Sequence, residues 1–268
     1  MAQLLKLQDY ISRYEQDLNK YLNQFIRVKQ RRWDEYKEKL AHNNLHGEQF
    51  KKIRLKFLDE LYLHQLRWAS STIAEKSQLA ARYEHDSILK LLLQTLPDTH
   101  LVFYDPVFKI ENASVEMEAF IVTPTIIYCL AFLKGKEDDI YLANKERFWK
   151  VIRGEQELKV VSPFLSLKRS ENVIRKLTAN ANITSPIKKI ILAPDGYVDH
   201  FQEFLSIECH DKRSIREWQK KTAGDPSPIK SKQVKIARIL LENSMTESYL
   251  RDEEERYFDS LNRQFPGE

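Results

Sequence analysis

Glu116 and Glu118 stand two positions apart in a run rich in β-branched and aromatic residues. In a strand both carboxylates would share one face, and carboxylates gathered on a face are the hard oxygen ligands that suit Mg²⁺. Asp105 is a further acid nearby. Glu84, His85 and Asp86 are consecutive, so on a helix they point around its axis and not at one ion. His42 and His46 are spaced i, i+4, as a helical metal pair requires, but they flank Asn43 and Asn44, which mark a turn. Asp195, Asp199 and His200 follow a strand end with no nucleophile motif beside them. No GxSxG, phosphate-binding glycine loop or GxGxxG occurs. Cys129 and Cys209 lack CxxC spacing and read as two buried free thiols, not as a zinc site or disulfide framework. The segment Arg27-Val-Lys-Gln-Arg-Arg-Trp33 mixes cations with an aromatic ring, as nucleic-acid surfaces do. Lys220, Lys221, Lys230 and Lys232 form a second basic region. The plainer reading of both is a solvated helix face, set against the acidic run Asp252-Glu253-Glu254-Glu255.

The elements that would hold these groups follow from periodicity and turn residues. Leu7, Ile11, Tyr14, Leu18, Tyr21, Phe25 and Val28 alternate spacings of four and three, a heptad seam that needs a partner helix. A second helix carries Phe50, Ile53, Phe57, Leu61 and Trp68 on one face, so the two form a hairpin. A third helical stretch runs from Glu75 to Leu96 and stops at Pro97. The pattern then changes to strands over His100 to Lys109, Val115 to Pro124 and Ile126 to Leu133, the last continuously apolar as in a strand covered on both faces. Phe148 to Ile152 reads as a short strand, Pro163 to Ala179 as a helix and Ile187 to Ala193 as a final strand, with helix again from Lys212. The apolar run Ala119 to Leu133 is interrupted by Thr123, Pro124 and Thr125 and is too short to span a bilayer. The start of the chain lacks the apolar block of a signal peptide. A cytoplasmic protein with no membrane partner is expected. Net charge is +4, but residues 1–68 and 208–239 each net +5, residues 69–207 net −1 and residues 240–268 net −5. Charge of this segmental kind bears on partners, not on fold.

The centre, from Glu84 to Tyr197, resembles the nuclease-related domain (NERD) family, a branch of the restriction-endonuclease-like superfamily. The resemblance rests on order and spacing. A helix with Tyr83-Glu84 ends at Leu96-Pro97-Asp98. The strand Val102-Phe103-Tyr104-Asp105 follows, then Met117-Glu118-Ala119-Phe120-Ile121-Val122-Thr123-Pro124. Gly135 closes the next strand, Trp149 stands near Gly154, and Ser162-Pro163 opens a helix. Such nucleases hold a divalent metal with carboxylates and place a lysine near the attacking water, the metal lowering that water's pKa. The resemblance makes Glu118 the first acid and Glu84 the helix-borne one. It puts the Glu-x-Lys pair on Ala131 and Leu133, which are both apolar, with Lys134 adjacent but directed to the opposite face. The family's helix glutamine aligns near Ser166.

The resemblance therefore implies an α/β fold with a restriction-endonuclease-like core of helix, three strands, helix and strand. Residues 1–74 would be a helical hairpin extension, 75–205 the core and 206–268 a C-terminal helical region. The expected function is that of a non-catalytic pseudo-nuclease, a binding or scaffolding module with no catalytic residues, cofactor or metal. Its nucleic-acid contacts would be Arg27, Lys29, Arg31, Arg32 and Trp33 on the basic helical arms. Another protein or a second copy would bind through the N-terminal heptad seam. The alternatives are a divergent Mg²⁺-dependent nuclease using Glu84, Glu116 and Glu118, and a helical adaptor that recruits protein.

Overall fold

The computed structural model describes residues 1–42, 47–201, 207–224 and 227–252, with the side chains of 39–42 left aside. The chain opens with strand β1 (Gln3–Leu7), a short helix α1 (Arg13–Gln16) and the helices α2 (Leu18–His42) and α3 (Glu48–Trp68). Strand β2 (Glu75–Lys76), a 3-10 turn (Ala81–His85) and helix α4 (Ser87–Thr95) lead into strands β3 (Leu101–Tyr104), β4 (Val107–Ile110), β5 (Ala113–Glu116), β6 (Ala119–Val122) and β7 (Ile127–Phe132). Next come β8 (Ile140–Leu142), β9 (Phe148–Arg153), β10 (Gln156–Val161), helix α5 (Pro163–Asn180), β11 (Ile187–Ala193), β12 (Tyr197–Asp199) and β13 (Ile207–Asp211). Helices α6 (Ile215–Ala223) and α7 (Ser231–Glu242) and strand β14 (Tyr249–Leu250) end the described chain.

A six-stranded sheet with order β1-β3-β6-β7-β11-β13 is the scaffold. Strands β3, β6 and β7 form an antiparallel meander. The crossover through α5 then brings β11 back parallel to β7. Side chains leave a strand alternately, so one face carries Phe103, Phe120, Cys129 and Ala131 and the other Val102, Tyr104, Leu130 and Phe132. The first face is covered by Tyr21 and Phe25 of α2, Ile174 of α5 and Leu240 of α7. The second is covered by Tyr62 of α3, Leu89 and Leu93 of α4, and Trp218 of α6. Helices on both faces are why β7 reads as an unbroken apolar run and why β11 ends in the buried apolar residues Ile190 to Ala193. The mixed α/β class expected from the sequence is thus present. A separate four-stranded sheet, β10-β9-β8-β12, stands beside it.

Three local expectations need correction. No helix begins at Leu7: Gln3–Leu7 is a fully buried strand parallel to β3, so the extension before residue 75 contributes to the sheet as well as a helical hairpin. Ser12 and Glu15 form a capping box at the start of α1, and Asp17, in extended conformation, breaks the chain before α2. The seam from Leu7 to Val28 therefore spans a strand and two helices, and only Leu18 onward follows one helix face. Those residues are buried inside the chain, Phe25 completely, against Tyr14, Trp68 and the sheet. The seam offers no face to a second copy. The stretch from Glu75 to Leu96 is not one helix either. Asp86 accepts the N–H groups of Ile88 and Leu89 and so starts α4 only at Ser87. After β11, strand β13 and the β14–β2 pair add sheet where helix was expected, and β12 joins the smaller sheet.

Candidate functional site

The strand ends on one edge of the meander enclose a cleft of about 390 Å³ lined by Gln8, Arg82, Asp105, Glu116, Glu118 and Arg169, among others. Its geometry begins at Asp105-Pro106, which separates β3 from β4. Asp105 adopts φ 49°, and its N–H donates to the carbonyl of Glu118 at 2.6 Å. A non-glycine residue in the left-handed region is uncommon, and Asp tolerates it better than most. The turn sets the two acids side by side at the ends of adjacent strands.

Glu118 is held tightly. Its Oε2 accepts the backbone N–H of Phe132 at 2.6 Å, and its side chain hydrogen-bonds Ser166 on α5. Burial pushes its carboxyl above the usual range. The hydrogen bonds and the Lys134 ammonium oppose that shift, and the Asp105 charge adds to it. Asp105 is also raised by burial, against the pull of Lys134 and a hydrogen bond from Tyr83. The Tyr83 hydroxyl lies 3.0 Å from Asp105 Oδ2 and 3.1 Å from Gln8 Oε1, and it accepts from Arg82 at 2.8 Å. Behind it, the Tyr104 hydroxyl donates to Asp86 at 2.9 Å. The Lys134 ammonium stands 5.7 Å over the Tyr104 ring and 5.5 Å over the Phe132 ring. It lies on the Phe132 face, two residues beyond the strand end. The strand stops at Phe132, so its field reaches both carboxyls from the end of the sheet.

Glu116 and Glu118 do line one cleft, with Glu116 exposed at the rim. Glu84 is exposed on the 3-10 turn outside that lining; the acid its turn presents inward is Asp86, already engaged as a helix cap. Ala119 pairs with Leu130, so one step further on Glu118 faces Ala131. Ala131 is fully buried and Leu133 nearly so, both in the apolar core. Among the described residues no three His, Cys, Asp or Glu side chains gather to hold a metal ion. Ala131, where the resemblance places a second carboxylate, supplies no oxygen, and Glu118 is bonded to Phe132 and Ser166. Asp199 lies 3.5 Å from Arg213 and His200 is exposed. The His42 and His46 side chains and Glu253 to Glu255 lie outside the described residues.

The basic segment all lies on α2. Arg27 is exposed, Lys29 is ion-paired with Asp98, and Arg31 is 3.9 Å from Glu35. Trp33 stacks within the hairpin, 4.9 Å from Phe57 and 6.0 Å from Phe50. Its ring serves the α2–α3 contact and is not a free stacking platform. Gln8, Arg82 and Arg169, which line the cleft, and Lys134, whose field reaches it, were not distinguishable in the sequence as site residues. Only Lys134, next to the expected strand end, carried a local signal; the others arrive by long-range packing.

No family model matches this chain, and no solved structure matches it. A curated RNA 2′,3′-cyclic phosphodiesterase of Geobacillus stearothermophilus is 60% identical over 37 residues, which is 14% of this chain and 12% of that protein. The matched segment is thus a small part of either.

Proposed function

We propose that this chain carries a restriction-endonuclease-like core of the nuclease-related kind that has lost catalysis and serves as a binding module for nucleic acid. The element order supports the reading: α4, the meander β3-β6-β7, the α5 crossover and a parallel β11 form the helix, three strands, helix and strand that the resemblance implies. The observation that carries the loss of catalysis is the buried Ala131 facing Glu118, where the resemblance places a second carboxylate. Glu118 is then a structural acid that ties β7 and α5 to the end of β6. One observation favours the second reading, a divergent nuclease: Lys134 acts on both Glu118 and Asp105. The two readings separate in one assay. The protein is incubated with RNA, single-stranded DNA and plasmid in the presence of Mg²⁺ or Mn²⁺; RNA is included because of the name of the protein that matches over 37 residues. No cleavage above background is expected. Cleavage that disappears in Glu118→Ala would overturn the pseudo-nuclease reading.

A further inference from the structure

Strand β10 lies at the edge of the four-stranded sheet, and five of its six residues are exposed. Among the described residues nothing pairs with its outer side. Its register with β9 fixes which backbone groups are open. Ser162 N–H donates to the Arg147 carbonyl at 2.8 Å, and the pairs continue as Val161 with Phe148 and Val160 with Trp149. Hydrogen-bonded pairs alternate in an antiparallel ladder. Ser162, Val160, Leu158 and Gln156 therefore bond inward to β9, and Glu157, Lys159 and Val161 turn their N–H and C=O groups outward.

The outer edge is also self-complementary in charge. Glu157 and Lys159 flank Leu158 symmetrically. Within the chain Lys159 sits directly opposite Lys150, a like-charge pair. The one acid on that face, Glu157, bridges to Lys150 at 2.7 Å. An antiparallel copy of the same strand, centred on Leu158, would set each Glu157 against the other copy's Lys159. The outward groups at 157 and 159 would meet in hydrogen-bonded register, and Leu158, 38% exposed, would face its twin in the closer, non-hydrogen-bonded pair.

We propose that β10 is a contact between two copies of this chain, pairing with itself across a two-fold axis at Leu158. A C2 contact of this kind is isologous, so every bond is made twice. One strand pair gives a small interface, so the dimer is weak and concentration-dependent.

Sedimentation velocity across a dilution series tests this. The wild-type protein is expected to shift from dimer to monomer on dilution. Glu157→Lys alone, or Lys159→Glu alone, puts like charges opposite each other twice and should weaken self-association by about tenfold or more. Mixing these two variants restores opposite charges at both pairs, so a heterodimer should form. Lys159→Pro removes an outward N–H that the intrachain ladder does not use, and should abolish the dimer while the far-UV circular dichroism stays unchanged. A wild-type protein that stays monomeric at the highest concentration overturns the proposal. So do folded charge variants that dimerise as tightly as wild type, or a mixture that forms no heterodimer.

Discussion

His64 is buried on α3 with only 1% of its surface exposed, and among the described residues its Nε2 has no hydrogen-bond partner. Burial lowers its pKa to about 3, and the fields of Arg32, Arg67 and Arg13 add to the shift. A histidine lowered in the fold stays neutral there while the unfolded chain takes up a proton near pH 6.5. Its contribution to stability is therefore complete above about pH 6.5 and is lost as pH falls from there towards the folded value. The slope approaches roughly 1.4 kcal/mol per pH unit, which amounts to about 2 kcal/mol between pH 6.5 and 4.5. In His64→Phe, which keeps an aromatic ring against Trp68, that part of the slope should vanish when urea unfolding is followed from pH 7.5 to 4.5. An unchanged slope would mean that His64 titrates normally. Glu118 has the opposite sign. Its carboxyl is raised by burial, so the charge it carries at neutral pH costs the fold stability, and the cost grows as pH rises through the unfolded value. Glu118→Gln keeps an acceptor for the Phe132 N–H and removes the charge. It should melt at a higher temperature than wild type at pH 7, with the difference shrinking towards pH 4. A lower melting temperature at pH 7 would show that ionised Glu118 stabilises the strand ends.

At the scale of elements, α2 has two faces with separate consequences. Its inner face is core: Phe25→Ala should cost about 3–5 kcal/mol of unfolding free energy, measured by urea denaturation, because the site is fully buried. A cost under about 1 kcal/mol would mean that the α2 face packs loosely. Its outer face carries Arg27 and Arg31, and if both touch phosphate, replacing them with alanine should reduce the salt dependence of duplex binding by about two units of log–log slope. Fluorescence anisotropy at several salt concentrations reads this, and tight binding with an unchanged slope would move the nucleic-acid surface elsewhere, the Arg82 and Arg169 rim being the next candidate. The same helix shows what was legible. Periodicity identified α2, α3, α5, β7 and β11 because each buries an apolar stripe or run along part or all of its length. It misread Gln3–Leu7, because five buried residues carry no period that separates strand from helix. The Ser12–Glu15 capping box was present as a local signal against one continuous helix. At the cleft, Glu118 and Asp105 were legible as acids at strand ends. Gln8 and Arg82 were not, because the chain brings Gln8 to Tyr83 across 75 positions.

The whole molecule is closed by a segment that runs back across its beginning. After α7, Asn243 accepts from Lys109, and Met245 donates to Val107 at 2.7 Å. Glu247 donates to Asp9 at 2.6 Å, and Arg251 to Ala74 at 2.9 Å. Tyr249–Leu250 then pairs with Glu75–Lys76. Beneath this strap lies Lys6, whose side chain is completely inaccessible. Its ammonium donates to Glu15 Oε1 and to Thr246 Oγ1, both at 2.6 Å, and Thr246 Oγ1 donates to Glu15 Oε2 at 2.9 Å. Burial lowers the Lys6 pKa and Glu15 opposes the shift. A buried ammonium depends on every partner it has, because one left unmade costs its desolvation in full. Thr246 thus fastens the strap to a strand 240 positions earlier. Thr246→Val keeps the shape and removes the hydroxyl, and should cost about 1–3 kcal/mol in urea unfolding. In a Lys6→Met background no ammonium remains to be satisfied, so the same substitution should cost much less. The difference between the two costs, a double-mutant cycle, measures the coupling directly. Equal costs in the two backgrounds would show that Thr246 acts only through Glu15 or its own packing, and that the strap does not close on Lys6.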